Sequence, residues 1–380
     1  MAVVDLLLTK NLAFINAYRV LRSIWARPGV SRSELSGLLD LDKSTITKLV
    51  ADLMKRGIVE EYAEGASSHR GGRKPVLLKV RRDFGAVLGI EVQTERYVAT
   101  LLDLNAQVLY SRSEPIQKGP KGIEELTLSI AEEMLRDAGE RGLTVLGIGV
   151  GLSGIVDTEH GVVRQSLPLG VREPVNIYEA AKGLINVPIR VDNDANCCCW
   201  AEIVRNRASV SREFLFILGE FRKERVEDAD GGTIAVGIGF VLDGKVHLGS
   251  SWSAGEFRSV FREADTKSQF SLPYETVRQS AQDETAFKMV ARELARNAAL
   301  LVNSLDLSQI FIGGNIEKYR NLLIPILGSE IRNNWPYGER PLTIEFSELG
   351  ELVVAYGAAA MMLERLFALP VMTENRAAPV

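Results

Sequence analysis

The sequence predicts an α/β protein with a winged helix-turn-helix head and a two-lobed body. Residues 1–82 carry a net charge of +7, whereas the remaining residues carry −11. Within the head, two short amphipathic helix patterns precede two strand patterns. Hairpin and helix patterns then alternate in two rough halves, which is typical of two sheet-and-helix lobes with a cleft between them. A basic head on an acidic body indicates nucleic-acid binding by the head.

Length and composition fit a protein of two or three domains, with 380 residues of which 46% are hydrophobic. No apolar run is long enough to span a bilayer, and "AVVDLLLTK" lacks the basic leader of a signal peptide. We therefore expect a cytoplasmic protein with no membrane partner. The three cysteines are adjacent, from Cys197 to Cys199, so they do not form a disulfide framework.

A helix-turn-helix pattern occupies the middle of the head. Ser31 and Glu34 have the spacing of a capping box, which starts the first helix. Asp42 can cap the second helix after a tight turn. The apolar face of the second helix consists of Ile46, Leu49, Val50 and Leu53. Its opposite face is short, polar or basic, as in a helix that contacts DNA.

The strand pattern over residues 58–62, the basic loop "AEGASSHRGGRKP" and the strand "VLLKV" complete a winged helix. An amphipathic helix pair alone is typical of an ordinary core, but a basic wing suits phosphate or minor-groove contact. One head reads only a half-site, so we expect a double-stranded operator bound by a homodimer or homotetramer. The predicted DNA-binding residues are Arg32, Ser44, Thr45, Thr47, Lys48, Arg70, Arg73 and Lys74.

The body pattern divides into two lobes. Its first half ends with the strand "VPIRVDND" running directly into the helix "ANCCCWAEIVRN", and its second half ends with the helix "LVVAYGAAAMMLERLF". The predicted divisions are the winged helix 1–82, the first lobe 83–200 joined by a C-terminal helix at about 350–370, the second lobe 201–349 and a loose tail 371–380.

Six motifs occur in an order that resembles the ROK family of repressors, open reading frames and sugar kinases. They are "GGRKPVLL", "GIGVGLSGIVD", "VDNDANCCCWAE", "GIGFVLDGK", "AGEF" and "IFIGGNI". The resemblance implies an actin- and hexokinase-like ATPase fold with a sugar in the cleft between the lobes. It also implies that a member with a winged helix is usually a sugar-responsive transcriptional regulator.

The "NDAN" motif carries the predicted sugar site. By resemblance, Asp194 matches the family's general base and Asn193 the sugar-binding residue before it, while Glu256 and Glu275 match sugar-binding glutamates. From the residues alone, Asp194 has a second interpretation, as a simple helix cap. The adjacent cysteines point about 100° apart on a helix and cannot converge on one metal, so we interpret them as small packing residues.

Two departures from the family argue against its kinase chemistry. The phosphate turn of the kinases contains glycines, whereas this chain reads "EVQTER" from Glu91 to Arg96 and brings bulk and negative charge there. A charged segment also interrupts the second phosphate-contacting turn. "FIGGNI" is kept, but Gly313 and Gly314 serve tight packing equally well. We expect no ATP and no catalytic residues.

The family's zinc loop is also altered. By resemblance, Ser259 stands where many members have a histidine that contacts both sugar and zinc. The following segment, "VFREADTKSQFSLPYETV", contains no cysteine. We therefore expect no zinc and no other metal cofactor.

These observations predict a DNA-binding transcriptional regulator, a repressor rather than an enzyme, controlled by a sugar or sugar derivative in the interlobe cleft. Two alternatives remain open. One is a ROK-type sugar kinase that phosphorylates a hexose with ATP. The other is a regulator whose cleft senses something other than a sugar or serves assembly only.

Overall fold

The computed structural model describes residues 12–64, 74–116, 122–207, 209–222, 234–266 and 268–368. The head consists of the helices α1 (Leu12–Ala26), α2 (Arg32–Leu39) and α3 (Lys43–Lys55) and the strands β1 (Val30–Ser31), β2 (Val59–Glu64) and β3 (Val76–Val80). The three strands pair antiparallel in the order β1-β3-β2. This confirms the winged helix-turn-helix, although sequence patterns predicted neither α1 nor β1.

Local capping explains where α2 begins, but not where α3 begins. The Glu34 backbone N–H donates to the Ser31 hydroxyl at 3.3 Å, and the Ser31 backbone N–H donates to the Glu34 carboxylate at 2.7 Å. The predicted capping box is therefore present. Asp42 occupies the cap position of α3, but its side chain makes no capping hydrogen bond. The prediction of a side-chain cap at Asp42 is wrong, because helix position alone does not fix the carboxylate.

The first sheet of the body has the order β11-β7-β4-β5-β6. Its strands are β4 (Ala86–Val92), β5 (Arg96–Asp103), β6 (Val108–Pro115), β7 (Val145–Leu152) and β11 (Ile189–Asn193). A small antiparallel sheet of β8 (Ile155–Asp157), β9 (Val162–Gln165) and β10 (Val175–Asn176) adjoins it. The accompanying helices are α4 (Ile123–Glu140), α5 (Ile177–Ala181) and α6 (Asp194–Arg205).

The second sheet has the order β14-β13-β12-β15-β16. Its strands are β12 (Phe214–Phe221), β13 (Ile234–Leu242), β14 (Lys245–Val246), β15 (Gln309–Gly313) and β16 (Thr343–Phe346). The helices of this part are α7 (Tyr274–Gln279), α8 (Glu284–Ser304) and α9 (Arg320–Asn333), with 3₁₀ turns at Asn315–Tyr319 and Gly350–Leu352. Two mixed sheets flanked by helices confirm the predicted two-lobed fold.

The C-terminal helix α10 (Val353–Phe367) returns to the first sheet and packs on β4, β7 and α6. Glycines permit the close approach: a Cβ at Gly89 would lie 1.9 Å from the Ala355 carbonyl oxygen, and one at Gly149 1.9 Å from that of Ala358. The domain boundaries set from the sequence stay a prediction. The predicted tail 371–380 lies outside the described residues.

Candidate DNA-binding face and ligand cleft

The outer face of α3 presents the side chains predicted to contact DNA. Ser44, Thr47 and Lys48 are exposed, and Thr45 is half-buried. The Thr47 hydroxyl donates to the Lys43 carbonyl at 2.7 Å. Because Ile46, Val50 and Leu53 are buried on the opposite face, the polar face is fixed toward solvent.

The other predicted DNA contacts have different surroundings. The Arg32 guanidinium forms an ion pair with Glu61 of β2 at 2.7 Å and donates to the Met54 sulfur at 3.5 Å. This side chain therefore joins α2 to the wing strand. Lys74 is exposed just before β3. Arg70 and Arg73 of the wing lie outside the described residues, and all of these DNA contacts stay predictions.

The first residue of the cleft site, Asp194, begins α6 directly after β11. Its Oδ1 accepts a hydrogen bond from the Ala195 backbone N–H at 2.8 Å. Burial raises the pKa of the Asp194 carboxyl, and the nearby Arg222 guanidinium opposes that rise. A Cβ placed on Gly237 of β13 would lie 3.8 Å from Asp194 Oδ1. The carboxylate therefore lies between the two sheets, where both lobes reach it.

Asn193 serves the fold with both ends of its side-chain amide. Its Oδ1 accepts from the backbone N–H groups of Ala195 and Asn196 at 2.8 and 3.3 Å, and its Nδ2 donates to the Gly154 carbonyl at 2.9 Å. Asn193 is thus the cap of α6, a role that the sequence analysis gave to Asp194 in its alternative interpretation. The Asn193 amide fixes where Asp194 lies, and its predicted sugar contact stays a prediction.

Glu256 is placed beside Asp194 by an irregular pairing of the second lobe. Residues Gly237 and Glu256 form an antiparallel bridge, and the Ile238 N–H donates to the Gly255 carbonyl at 3.2 Å. Gly255 has φ +91°, and a Cβ there would lie 1.7 Å from the Ile238 carbonyl oxygen, so glycine is required. Burial and then the Asp194 charge raise the pKa of the Glu256 carboxyl. Asp194 and Glu256, predicted from separate motifs, are therefore neighbours.

Glu275 lies on α7 with an exposed side chain. Its carboxylate accepts from the Arg278 and Gln279 side chains of the same helix at 2.7 and 2.8 Å. The hydrogen bond from Arg278 lowers its pKa. These contacts hold Glu275 within its own helix, so its predicted role in sugar binding stays a prediction without a structural link to Asp194.

By resemblance, the β4–β5 turn matches the phosphate turn of the kinases, and charged side chains of this chain border a cavity there. A cavity of about 190 Å³ is lined by Glu91, Arg96, Glu220 and Glu351, among others. The Arg96 guanidinium pairs with Glu351 at 2.9 Å and donates to the Gln93 amide oxygen at 3.0 Å. The residues present do not fit a nucleotide phosphate. Glutamate side chains and an arginine that already pairs with Glu351 stand where the kinases have glycine N–H groups.

The sequence analysis expected negative charge at Glu91, and the surroundings of this side chain differ from that expectation. Its side chain is 7% exposed, and burial raises its pKa to about 8, with Glu220 and Asp194 adding to the rise. The carboxyl therefore keeps its proton at pH 7 for the most part. It brings bulk, as predicted, but the expected negative charge at Glu91 is largely absent, because a low-dielectric site disfavours ionisation.

Glu220 and the "FIGGNI" turn meet on the other side of the same cavity. Burial raises the pKa of Glu220 to about 6. Gly314 has φ +87°, and a Cβ there would lie 2.3 Å from the Gly219 carbonyl oxygen. A Cβ on Gly313 would lie 2.8 Å from the Phe216 ring. Both glycines therefore permit tight packing, which was one of the two interpretations of this motif.

Hydrogen bonds hold the segment after Glu256 in place. The buried Ser259 backbone N–H donates to the Gln269 carbonyl at 2.8 Å, and the Ser259 hydroxyl accepts from Asn297 Nδ2 at 3.1 Å. Gln269 in turn bonds the Val236 and Phe257 backbone at 2.8 to 3.0 Å. Serine and amide groups do not fit a zinc ion. Among the described residues, no three His, Cys, Asp or Glu side chains are grouped to hold a metal ion.

The three cysteines do not converge, and Cys197 and Cys199 face different strands. A Cβ on Gly151 of β7 would lie 3.2 Å from Cys197 Sγ, and one on Gly239 of β13 2.5 Å from Cys199 Sγ. All three thiols are buried, and burial raises their pKa values well above 9. They are inert packing residues on the buried part of α6.

One cleft feature was missed by the sequence analysis. Trp252, four residues before Glu256, lies under the Arg164 guanidinium of β9 at 4.6 Å from the ring centroid. Trp252 has φ +58°, which is unusual for a tryptophan. Arg164 is anchored to the buried Asp157 at 2.8 Å. The contact joins β9 to the segment that precedes Glu256, and only the isolated tryptophan in "GSSWSAGE" signals it in the sequence.

A winged helix-turn-helix head on a two-lobed α/β body with carboxylates at its cleft defines a DNA-binding protein with a hexokinase-like body. The ROK family profile matches residues 87–268, and the MarR family profile matches residues 15–64. Over these ranges the body is similar to the ROK family and the head is similar to the MarR family of DNA-binding domains.

Curated relatives include repressors. The xylose repressor of Caldicellulosiruptor bescii is 25% identical, with 94% of this chain and 97% of that protein aligned. The xylose repressor of Bacillus subtilis is 24% identical, and the alignment covers 64% of this chain and 59% of the relative. The DNA-binding transcriptional repressor Mlc of Escherichia coli is 22% identical, with 90% and 92% aligned.

Solved structures show the same fold. A ROK family transcriptional regulator, a homologue of the E. coli Mlc protein, matches with a TM-score of 0.72 at 20% identity and covers 93% of this chain and 96% of its own. A ROK family glucokinase from Streptomyces griseus, in complex with glucose and AMPPNP, matches with a TM-score of 0.57 at 19% identity, over 73% of this chain and 99% of its own. Among the described residues, no helix combines the length and apolar character that crossing a membrane requires.

Proposed function

We propose that this DNA-binding transcriptional regulator is a repressor whose operator binding is controlled by a sugar or sugar derivative in the interlobe cleft. The observation that carries the proposal is the combination of Asp194 beside Glu256 with a phosphate side closed by Glu91. Polar groups for binding hydroxyls are kept, while the cavity beside the β4–β5 turn is lined by Glu91 and by an Arg96 that pairs with Glu351. The names of the relatives, three of them repressors, agree with this combination.

On the DNA side, the exposed face of α3 enters the major groove. Ser44, Thr47 and Lys48 reach base edges and phosphates there. A half-site is read by one head, so a two-fold dimer, or a tetramer of two dimers, binds the operator in the cytoplasm.

On the ligand side, Asp194 accepts hydrogen bonds from a sugar hydroxyl. Its position is fixed by the Asn193 cap below it and by the Ala195 N–H. A hydrogen bond to a charged partner contributes about 1.5 to 3 kcal/mol. Glu256 reaches a neighbouring hydroxyl from the second lobe. A ligand that contacts both residues favours the closed arrangement of the lobes, because it has contacts with each of them.

The alternative of a sugar kinase is disfavoured by the same cleft. Phosphoryl transfer needs donors that hold the phosphate oxygens. Here the matching turn holds a buried, largely protonated Glu91 and an Arg96 that is already paired with Glu351. We infer that the retained carboxylate at Asp194 binds a hydroxyl and does not act as a base.

The experiment is calorimetric titration of the full-length protein with D-xylose, D-glucose, N-acetyl-D-glucosamine and their phosphates. The panel is first screened by thermal shift, where a ligand at 100 times its Kd stabilises by about 2.7 kcal/mol. Asp194→Ala should weaken the best ligand at least about tenfold, which is about 1.4 kcal/mol.

Cys198→Ala is the matched control in the same helix and should leave the sugar Kd unchanged. If no sugar in the panel binds, the sugar-controlled repressor is rejected in favour of a cleft that senses another molecule. If a sugar binds equally to the wild type and Asp194→Ala, the ligand lies elsewhere.

A further inference from the structure

Helix α6 connects the ligand cleft to the junction between body and head. It begins at Asp194, with the Asn193 cap before it, and ends at Arg205. Its 12 residues span about 18 Å at 1.5 Å per residue. Arg207 follows two residues later and contacts the last turn of α1 in the head. One helix therefore has its first turn in the proposed site and its end against the DNA-binding domain.

The packing of α6 makes it a stiff connector. A Cβ on Gly357 of α10 would lie 1.7 Å from the Cys197 carbonyl oxygen, so the two helices touch through their backbones. Cys199 packs against Gly239 of the second lobe. The buried Glu202 carboxylate accepts from the Ser347 hydroxyl at 2.5 Å. Because most of its side chains are buried in close packing, α6 can transmit a displacement along its length as a rigid unit.

The junction at the far end is built around Trp25. Its indole is 1% exposed and stacks on Phe367 of α10 with ring centroids 4.6 Å apart. Its Nε1 donates to the Leu104 carbonyl at 2.7 Å. The Arg207 guanidinium lies 3.7 Å from the Trp25 ring centroid and donates to the Trp25 carbonyl at 2.7 Å. Three parts of the body thus hold one tryptophan of the head.

The head moves together with Trp25 because α1 belongs to a hydrophobic core that the head shares with the body. Buried residues of α1, α2, α3 and β3 belong to one hydrophobic cluster with residues of α6 and α10. Arg22 adds an ion pair to Glu364 of α10 at 3.0 Å. The head is therefore packed on the body and does not hang from a linker.

Of the residues that hold Trp25, Arg207 is the one that closely follows α6 in the chain. Burial lowers its pKa to about 10, so it stays protonated at pH 7. Its Nε donates to the Val204 carbonyl at 2.8 Å, while its Nη2 is buried without a hydrogen-bond partner among the described residues. A buried cation held by one carbonyl of the head and one ring face loses much of its stabilisation when either moves.

We infer that Arg207 is the positioning residue through which α6 couples the cleft to the orientation of the DNA-binding head. Ligand contact at Asp194 shifts α6, Arg207 carries the shift to Trp25, and α1 carries it to α3. Coupling is reciprocal, so operator binding must in turn change the stability of the first turn of α6. The inference rests on the proposed function in taking that first turn as the ligand end, but its test needs DNA only.

The test measures amide hydrogen exchange of the first turn of α6, in a peptide covering residues 191–200, with and without a saturating operator. The operator is a duplex of about 30 base pairs selected by the wild-type protein from a random library. Operator binding should change the exchange rate at least about fivefold, the lower end of ordinary allosteric coupling. In Arg207→Met the change should fall below about twofold, and in Arg207→Lys, which keeps a charge and a donor, it should be intermediate.

Arg205→Met is the matched control, since Arg205 is on the same helix and pairs with Glu348 of the body. It should behave as the wild type. Equal exchange changes in Arg207→Met and Arg205→Met, or no change in the wild type, would overturn the inference. If Arg207→Met does not fold, Arg207→Lys decides: a full wild-type response refutes the role of Arg207. Because no sugar enters the experiment, a failed sugar panel and a failed coupling are separate results.

Discussion

Replacing Glu91 by glutamine should stabilise the protein at pH 7. The Glu91 side chain is 7% exposed on β4, and its Oε1 accepts from Gln93 Nε2 at 2.7 Å. Burial raises its pKa from 4.5 to about 8, and the carboxylates of Glu220 and Asp194 add to the rise. The glutamine amide has the same shape and is neutral at every pH, so folding no longer requires this side chain to be protonated.

The sign and size follow from linkage between ionisation and unfolding. Below pH 4.5 the carboxyl is protonated in both states, and its contribution to the free energy of unfolding is fully present. As the pH rises, the unfolded chain ionises while the folded chain keeps its proton, so stability is lost until pH 8. Each pKa unit is worth about 1.4 kcal/mol, which gives a loss of about 3 kcal/mol at pH 7 and about 5 kcal/mol above pH 8.

The assay is urea unfolding of the wild type and Glu91→Gln at intervals from pH 4 to 8.5. The two free energies should converge near pH 4 and separate by about 3 kcal/mol at pH 7, with the glutamine variant more stable. Glu132→Gln, an exposed position on α4, should follow the wild type within about 0.5 kcal/mol. A constant difference at all pH values would show that Glu91 is not titrating across this range, and equal stability at pH 7 would show that it is ionised in the fold.

Three further predictions concern the head, the helix crossing and the cleft. Lys48→Ala should weaken operator binding in gel shifts and reduce the slope of log affinity against log salt by about one; unchanged affinity at every salt concentration would remove α3 from the interface. Gly357→Ala should cost at least about 3 kcal/mol in thermal unfolding, because its Cβ would overlap the Cys197 carbonyl, whereas Gly139→Ala, with open space around it, should be neutral or stabilising. No hexose should accept phosphate from ATP in a coupled assay; turnover that disappears in Asp194→Asn would restore the kinase alternative.

Local signals in the sequence predicted the helix-turn-helix, the main strands of the body and the start of α6 at Asp194, but not α1 or β1. The capping box at Ser31, the apolar face of α3 and the alternation of hairpin and helix patterns in the body depend on neighbouring residues, and the structure confirms them. The opening of α6 at Asn193 and Asp194 follows from a strand that ends in a capping motif. Such patterns carry their physical cause within a few residues.

What the sequence could not give depends on distant partners. Burial raises the pKa of Glu91 to about 8, and no neighbour in the chain indicates that burial. Asn193 has both ends of its amide occupied, one of them by Gly154, which is 39 residues away. Trp25 is an ordinary apolar residue in sequence, and its position between Phe367 and Arg207 exists only in the fold.

The most direct test of the account is operator binding measured by fluorescence anisotropy, with and without each sugar of the panel, for the wild type and Asp194→Ala. We expect one sugar or sugar derivative to weaken operator binding by the wild type at least about tenfold, within the usual range of allosteric coupling. Asp194→Ala should bind the operator as the wild type does and not respond to that sugar. The account is contradicted if no sugar alters operator affinity, or if Asp194→Ala responds to the sugar as fully as the wild type.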